Sequence, residues 1–193
     1  MNLRVVTVDI KEVTRKLLCG LWILICPQTS RFTSVQWSVP ERDKRFVVNI
    51  DTTRFGAVEI EKEDILQFEA GLIGFCDSKD WVILADAENP AVAWIQSLQD
   101  CSLALAVVSP RRFIPNYQVR LTVSELSPIH LTDVDQAFVL CVVSRNDNRL
   151  TMNLRAPVII NLDQKIGAQI MTSDDQPLQY PFANLSSNLR QSA

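Results

Sequence analysis

Histidine occurs once in this chain of 193 residues, at His130, and glycine only five times. With a single imidazole, Ser-His-Asp or Cys-His catalysis would have to run through that residue, which follows Pro128 with no catalytic signature beside it and reads as structural. Five glycines leave little material for a phosphate cradle, and no G-x-G-x-x-G, P-loop or H-E-x-x-H pattern occurs, so neither nucleotide chemistry nor a cofactor is expected. Cysteine is equally unpatterned: Cys19, Cys26, Cys76, Cys101 and Cys141 are odd in number, with no C-x-x-C pair and no metal-ligand spacing. A reducing cytosol permits such a set, and each thiol is expected to behave as a small buried hydrophobe.

A membrane-length apolar run is missing too. Arg4, Lys11, Arg15 and Lys16 precede an apolar stretch from Leu17 to Cys26, the charge order of a signal peptide. That stretch is far short of the roughly 20 residues that span a bilayer, and Cys26-Pro27-Gln28 offers no small-x-small cleavage site. Residues 1–45 are therefore expected to be a weakly ordered N-terminal extension, or a stretch upstream of true initiation near residue 46. A genuine export or membrane segment is the disfavoured third reading.

What is present is globular: 47% hydrophobic and 21% charged residues argue against global disorder, and the length suits one domain with a full core. The net charge of -3 hides an asymmetry. Residues 1–45 carry eight Lys/Arg against four Asp/Glu, and residues 46–182 carry ten against eighteen, giving +4 and -8. A body at -8 is a poor direct binder of nucleic acid, which needs cations to neutralise phosphates, and it suits a basic protein partner better. Solubility alone would equally account for it.

Short β-rich runs recur about every dozen residues: 46–50, 55–60, 81–84, 91–96, 103–108, 118–123, 137–143, 150–155, 158–161 and 168–171. Turn chemistry such as Glu88-Asn89-Pro90 and Ser109-Pro110 separates them, the spacing of a sandwich or barrel. Val119-Arg120-Leu121 alternates as a half-buried strand should, whereas 103–108 and 138–143 are apolar throughout and are placed at the centre, covered on both faces. Helix is expected only near 63–68, where Glu61, Glu63 and Asp64 suit a helix N-terminus, and near 124–131. The expected fold is mainly β, an antiparallel barrel-like domain over 46–182 with short helices and a polar, flexible tail at 183–193. The carboxylates Glu59, Glu61, Glu63 and Asp64, with Asp133 and Asp135, admit a paired-carboxylate hydrolase in form, but alternating acids on a strand are more often its solvated face.

A series of motifs runs through the body in fixed order. Phe55-Gly56 is followed by Ile65-Leu66-Gln67-Phe68 and Gly71-Leu72-Ile73-Gly74-Phe75, then by Trp94-Ile95-Gln96-Ser97-Leu98-Gln99-Asp100. Leu103 to Pro110, Phe113-Ile114-Pro115-Asn116-Tyr117 and Met152 to Asn161 complete it. Together, over residues 46–182, these resemble the flagellar assembly factor FliW. The chain departs from similar proteins at Leu105, commonly Phe, and at Asn116, commonly Asp.

The resemblance implies a cytoplasmic, non-enzymatic regulator that binds proteins and neither nucleic acid nor membrane. Proteins similar to FliW bind the translational repressor CsrA, relieving repression of the flagellin message, and bind flagellin, which competes for them. The alternative is a flagellin chaperone with no regulatory role. Candidate contacts are Glu63, Asp64, Asp100 and Asn116 for polar recognition, with Ile73, Phe75, Phe113 and Tyr117 as apolar anchors.

Overall fold

The computed structural model describes residues 4–6, 46–131, 137–146 and 149–181. The chain's contacts divide into one unit of residues 1–8 with 47–193 and a second of residues 9–46, of which only Phe46 is described. Among the described residues, strands make up most of the regular structure of the first unit: β1 (Arg4–Val6), β2 (Val47–Thr52), β3 (Gly56–Glu61), β4 (Leu66–Gln67), β5 (Asp80–Ala85), β6 (Val92–Ser97) and β7 (Ala104–Val108) come first. They are followed by β8 (Val119–Leu121), β9 (Ala137–Asn146), β10 (Arg149–Met152), β11 (Val158–Asn161), β12 (Ile166–Gln169) and β13 (Tyr180–Pro181). The expectation for 1–45 otherwise lies outside the described residues, as does that for the tail.

Strand pairing closes on itself. β9, β11, β12, β4, β5, β6 and β7 form a ring of seven strands, with β10 and then β13 added beyond β9. Every pairing is antiparallel except β12 with β4, joined at Ile166 and Gln67. β9 lies at the centre because its apolar run serves three partners in succession: β11 along Ala137–Leu140, β7 at Cys141 and Val142, and β10 along Val143–Asn146. That is the position its unbroken hydrophobicity predicts. Val119 and Leu121 are buried and Arg120 is exposed, as their alternation requires.

The segment expected to be helical at 63–68 is not. Lys62–Asp64 make a single 3-10 turn and Leu66–Gln67 form β4. Leu66 and Phe68 are buried on either side of exposed Gln67, a period of two that a helix would throw to different faces. The second helix is present as α1 (Val123–Leu126) running into a 3-10 turn at Ser127–Ile129, and Thr122 with Glu125 forms a reciprocal capping box. His130 ends this segment in the left-handed region, φ 50°, exposed, with Nδ1 2.9 Å from Gln164 Oε1.

Gln96, fully buried on β6, donates from Nε2 to the carbonyls of Ser97, Asp100 and Cys101 and so closes the β6–β7 turn. Asn153 and Asn161 work similarly: each Oδ1 accepts two backbone N–H groups, and Asn161 also donates to the Ile129 carbonyl. Cys141 is buried as expected, and burial pushes its thiol up to about 12. Cys76 and Cys101, expected to be buried, are exposed, because each sits in a turn rather than on an inward strand position. Cys19 and Cys26 lie outside the described residues.

The β2–β3 hairpin is a sheet of its own, and its tip is held against the barrel. Thr53 N–H donates to the Cys101 carbonyl at 2.9 Å, Phe55 meets Trp94 edge-to-face, and the Arg54 guanidinium lies 3.7 Å from the Trp94 ring centroid. Trp94 Nε1 donates to Asp86 Oδ2, while Asp86 Oδ1 accepts the Glu88 and Asn89 amides. Partial burial raises the Asp86 pKa, but these hydrogen bonds and the Arg54 charge outweigh it and leave the carboxyl below its ordinary value. A depressed folded pKa means stability that is present above the unfolded value, about 3.9, and lost as pH falls through the folded one. Melting temperatures between pH 5 and 2 should therefore drop more steeply for the wild type than for Asp86→Asn.

Candidate protein-binding surface

Directly opposed residues share a face of an antiparallel hairpin, so the register of β2 and β3 sorts their side chains. Val47, Asn49 and Asp51 stand opposite Glu61, Glu59 and Ala57 on one face, and Val48 and Ile50 opposite Ile60 and Val58 on the other. The first face carries Asp51, Glu59 and Glu61, and the 3-10 turn that follows adds exposed Glu63 and Asp64. Of this acidic stretch only Glu63 and Asp64 are contact candidates from sequence. Asp51 joins it through strand pairing, although the runs 46–50 and 55–60 joined by turn residues signal such a hairpin.

Ile73 and Phe75 occupy the next turn. Leu72 is buried and bridges to Phe75, whose N–H donates to the Leu72 carbonyl at 2.8 Å, leaving Ile73 and Gly74 at the tip. Gly74 at φ 87° has the positive angle that a type II turn requires at its third position. Ile73 is thereby displayed with 52% of its surface exposed, and Phe75 with 37%. The loop is pinned from β12, because Ile73 N–H donates to Gln169 Oε1 at 2.9 Å and Gln169 in turn donates to the Ala156 carbonyl. Exposed Met171 lies two residues beyond Gln169. Two apolar side chains on a braced turn, following an acidic stretch, make a surface suited to protein contact.

The remaining candidates separate. Asp100 is exposed, and hydrogen bonds from the Ser102 hydroxyl and amide hold its carboxyl below the ordinary range, so it shapes the β6–β7 turn. Exposed Asn116 lines an open cleft of about 410 Å³ with Gln118, Arg120, Asp174 and Asp175. Phe113 is half-buried and packs against the core. Tyr117 is a core residue, 4% exposed, whose hydroxyl donates to the Leu154 carbonyl at 2.8 Å. Burial and the neighbouring Cys141 raise its pKa, and what little surface it keeps borders the cleft beside Asn116. No sequence signal separates this tyrosine from an exposed anchor, because its hydrogen-bond partner is 37 residues away.

Asp174 and Asp175 are the carboxylates that line the cleft; Glu59 and Glu61 do not line it, and Asp133 and Asp135 lie outside the described residues. Among the described residues no group of His, Cys, Asp and Glu is arranged to hold a metal, and no helix is long and apolar enough to cross a membrane.

The model of the FliW protein family matches residues 49–182. The flagellar assembly factor FliW of Bdellovibrio bacteriovorus is 36% identical over 128 residues, 65% of this chain and 73% of that protein. That of Syntrophus aciditrophicus is 36% identical over 137 residues, 69% of this chain and 86% of that protein, and that of Clostridium tetani 31% identical over 138 residues, 70% and 95%. A crystal structure of the flagellar assembly factor FliW superposes with a TM-score of 0.62 at 25% identity, over 70% of this chain and 95% of that one. Matched in sequence from residue 49 to residue 182 and in the same β fold, this chain belongs to the FliW family of flagellar assembly factors.

Proposed function

We propose that this protein couples flagellin synthesis to flagellin secretion as a stoichiometric switch in the cytoplasm, acting by binding rather than catalysis. It binds CsrA and relieves repression of the flagellin message. It also binds flagellin, which competes for it. Unsecreted flagellin thus holds this protein, frees CsrA and lowers flagellin synthesis, and secretion reverses the flow. Family membership over residues 49–182 carries this reading. The acidic face running from Asp51 through Glu59 to Asp64 supports it, since an RNA-binding repressor presents basic surface. With CsrA engaged away from its RNA site, RNA and this protein weaken each other's binding by one common factor, worth about 1–3 kcal/mol.

Calorimetry of the full chain with CsrA and with flagellin from the same organism tests the scheme. Tight binding to both, with flagellin displacing CsrA, is the expected result. Flagellin binding alone, with translation of its message unchanged when export is blocked, would assign the narrower role of a chaperone. Binding to neither would overturn both readings.

The acidic face makes a second, kinetic prediction. Reversing Glu59 and Glu63 to Lys should slow association with CsrA about tenfold at low salt, with the difference shrinking as salt is raised. An on-rate indifferent to both changes would remove the face from the encounter.

A further inference from the structure

Among the described residues, β8 takes part in no strand pairing except the one with β1. Arg4, Val5 and Val6 run antiparallel to Leu121, Arg120 and Val119, and the two strands form a separate sheet. Successive residues of a strand aim their N–H and C=O groups to opposite edges. The Arg120 N–H donates to Asp174 Oδ2 at 2.9 Å, so one edge of β8 is capped by that carboxylate. Val119 and Leu121 present their backbone groups to the other edge, which is where β1 pairs. This acceptor edge is held still, for Val119 and Leu121 are 3% and 1% exposed in the core. The donor is short, three residues, and lies outside the stretch matched by the family model, which begins at residue 49. Within the described residues the family domain therefore supplies no strand of its own for this edge.

We infer that the β8 edge is a strand-addition site for an extended, β-branched segment of a partner protein, and that Arg4–Val6 is an intramolecular occupant that competes for it. A rigid unpaired strand edge is a template for backbone pairing. The segment now paired with it is Arg4-Val5-Val6, with two β-branched residues of three in sequence. A three-residue strand makes few hydrogen bonds, so a longer segment reaching past Gln118 toward the cleft beside Asn116 and Asp175 can displace it. The inference does not depend on which of the proposed partners binds.

Proline scanning of the full chain separates the edges. In the register seen, Arg4 and Val6 face β8 with their N–H groups and Val5 faces away, so Val6→Pro removes a pairing hydrogen bond whereas Val5→Pro does not. A fluorescent peptide of residues 1–8 is the probe, read by anisotropy, with amide exchange at Val119 and Leu121 as the second readout. The peptide should bind Val6→Pro at least about tenfold more tightly than it binds wild type or Val5→Pro, as expected when the resident strand leaves about a tenth or less of the sites open. Exchange at Val119 and Leu121 should be faster in Val6→Pro and slow again when peptide is added. Equal binding to all three chains, or binding to none, would overturn the inference. So would concentration-dependent dimerisation of the wild type without peptide binding, which would make the occupant a second copy.

Discussion

Truncating Phe68 to Ala should destabilise the domain by about 3–5 kcal/mol, the range for a fully buried aromatic whose cavity cannot collapse. Phe68 has no exposed surface, meets Trp81 edge-to-face at 6.5 Å, and fills the space over Gly167 of β12. A Cβ at Gly167 would come within 2.6 Å of two ring carbons of Phe68 and lie 3.0 Å from a third, so Gly167→Ala overpacks the same space and should cost about 1–3 kcal/mol. The two changes remove each other's cause. The double variant should therefore be more stable than the sum of the single losses predicts, by a coupling of about 0.5–3 kcal/mol. Urea denaturation of the four proteins measures it, and strict additivity would show that ring and glycine do not share the space.

Gly71→Ala is expected to be the other severe change. Gly71 has φ 72°, where a side chain costs about 1–2 kcal/mol. A Cβ there would also lie 2.5 Å from the Phe75 carbonyl oxygen and 2.7 Å from Cys76 Cα, both backbone atoms that cannot swing aside. Gly74 supplies the control, with φ 87° and nothing within 4 Å of an added Cβ. Gly74→Ala should cost about 1–2 kcal/mol and Gly71→Ala distinctly more, with the clash adding to the same angular strain. Gly71→Ala should also weaken partner binding in the protein that remains folded, because the turn that displays Ile73 and Phe75 must open to admit the methyl group. Equal losses for the two variants would place the difference elsewhere.

The legible part of this fold is the part written in short periods. Val119-Arg120-Leu121 shows its alternation in three letters, and the apolar runs 103–108 and 138–143 announce central strands, although the cover on both faces expected of them is incomplete, with Leu103 to Ala106, Val139, Val142 and Val143 only half-buried. Gly71 and Gly74 mark positive angles that the backbone does adopt. The stretch 63–68 misleads because acids at 61, 63 and 64 imitate a helix start, while the decisive pattern is only three residues long, buried Leu66, exposed Gln67 and buried Phe68. β4 holds its place through contacts with β5 and β12 that no local window contains. Tyr117 illustrates the same limit at the candidate surface: an aromatic after Pro115-Asn116 reads alike inside or out until the Leu154 carbonyl is found next to its hydroxyl. Asp51 is its converse, placed beside the acids of β3 by strand register.

The ring of strands closes where β4 meets β12, Gln67 beside Ile166, residues about a hundred positions apart. A chain emerging from the ribosome can lay down β5, β6 and β7 as a meander early, but β9 cannot receive β11, nor β4 receive β12, until nearly the whole domain has been made. Ile73 is braced by Gln169 from that same late strand, β12. Nascent and prematurely terminated chains therefore lack the brace behind the turn that presents Ile73 and Phe75, and a partner that reads this turn would count only finished molecules.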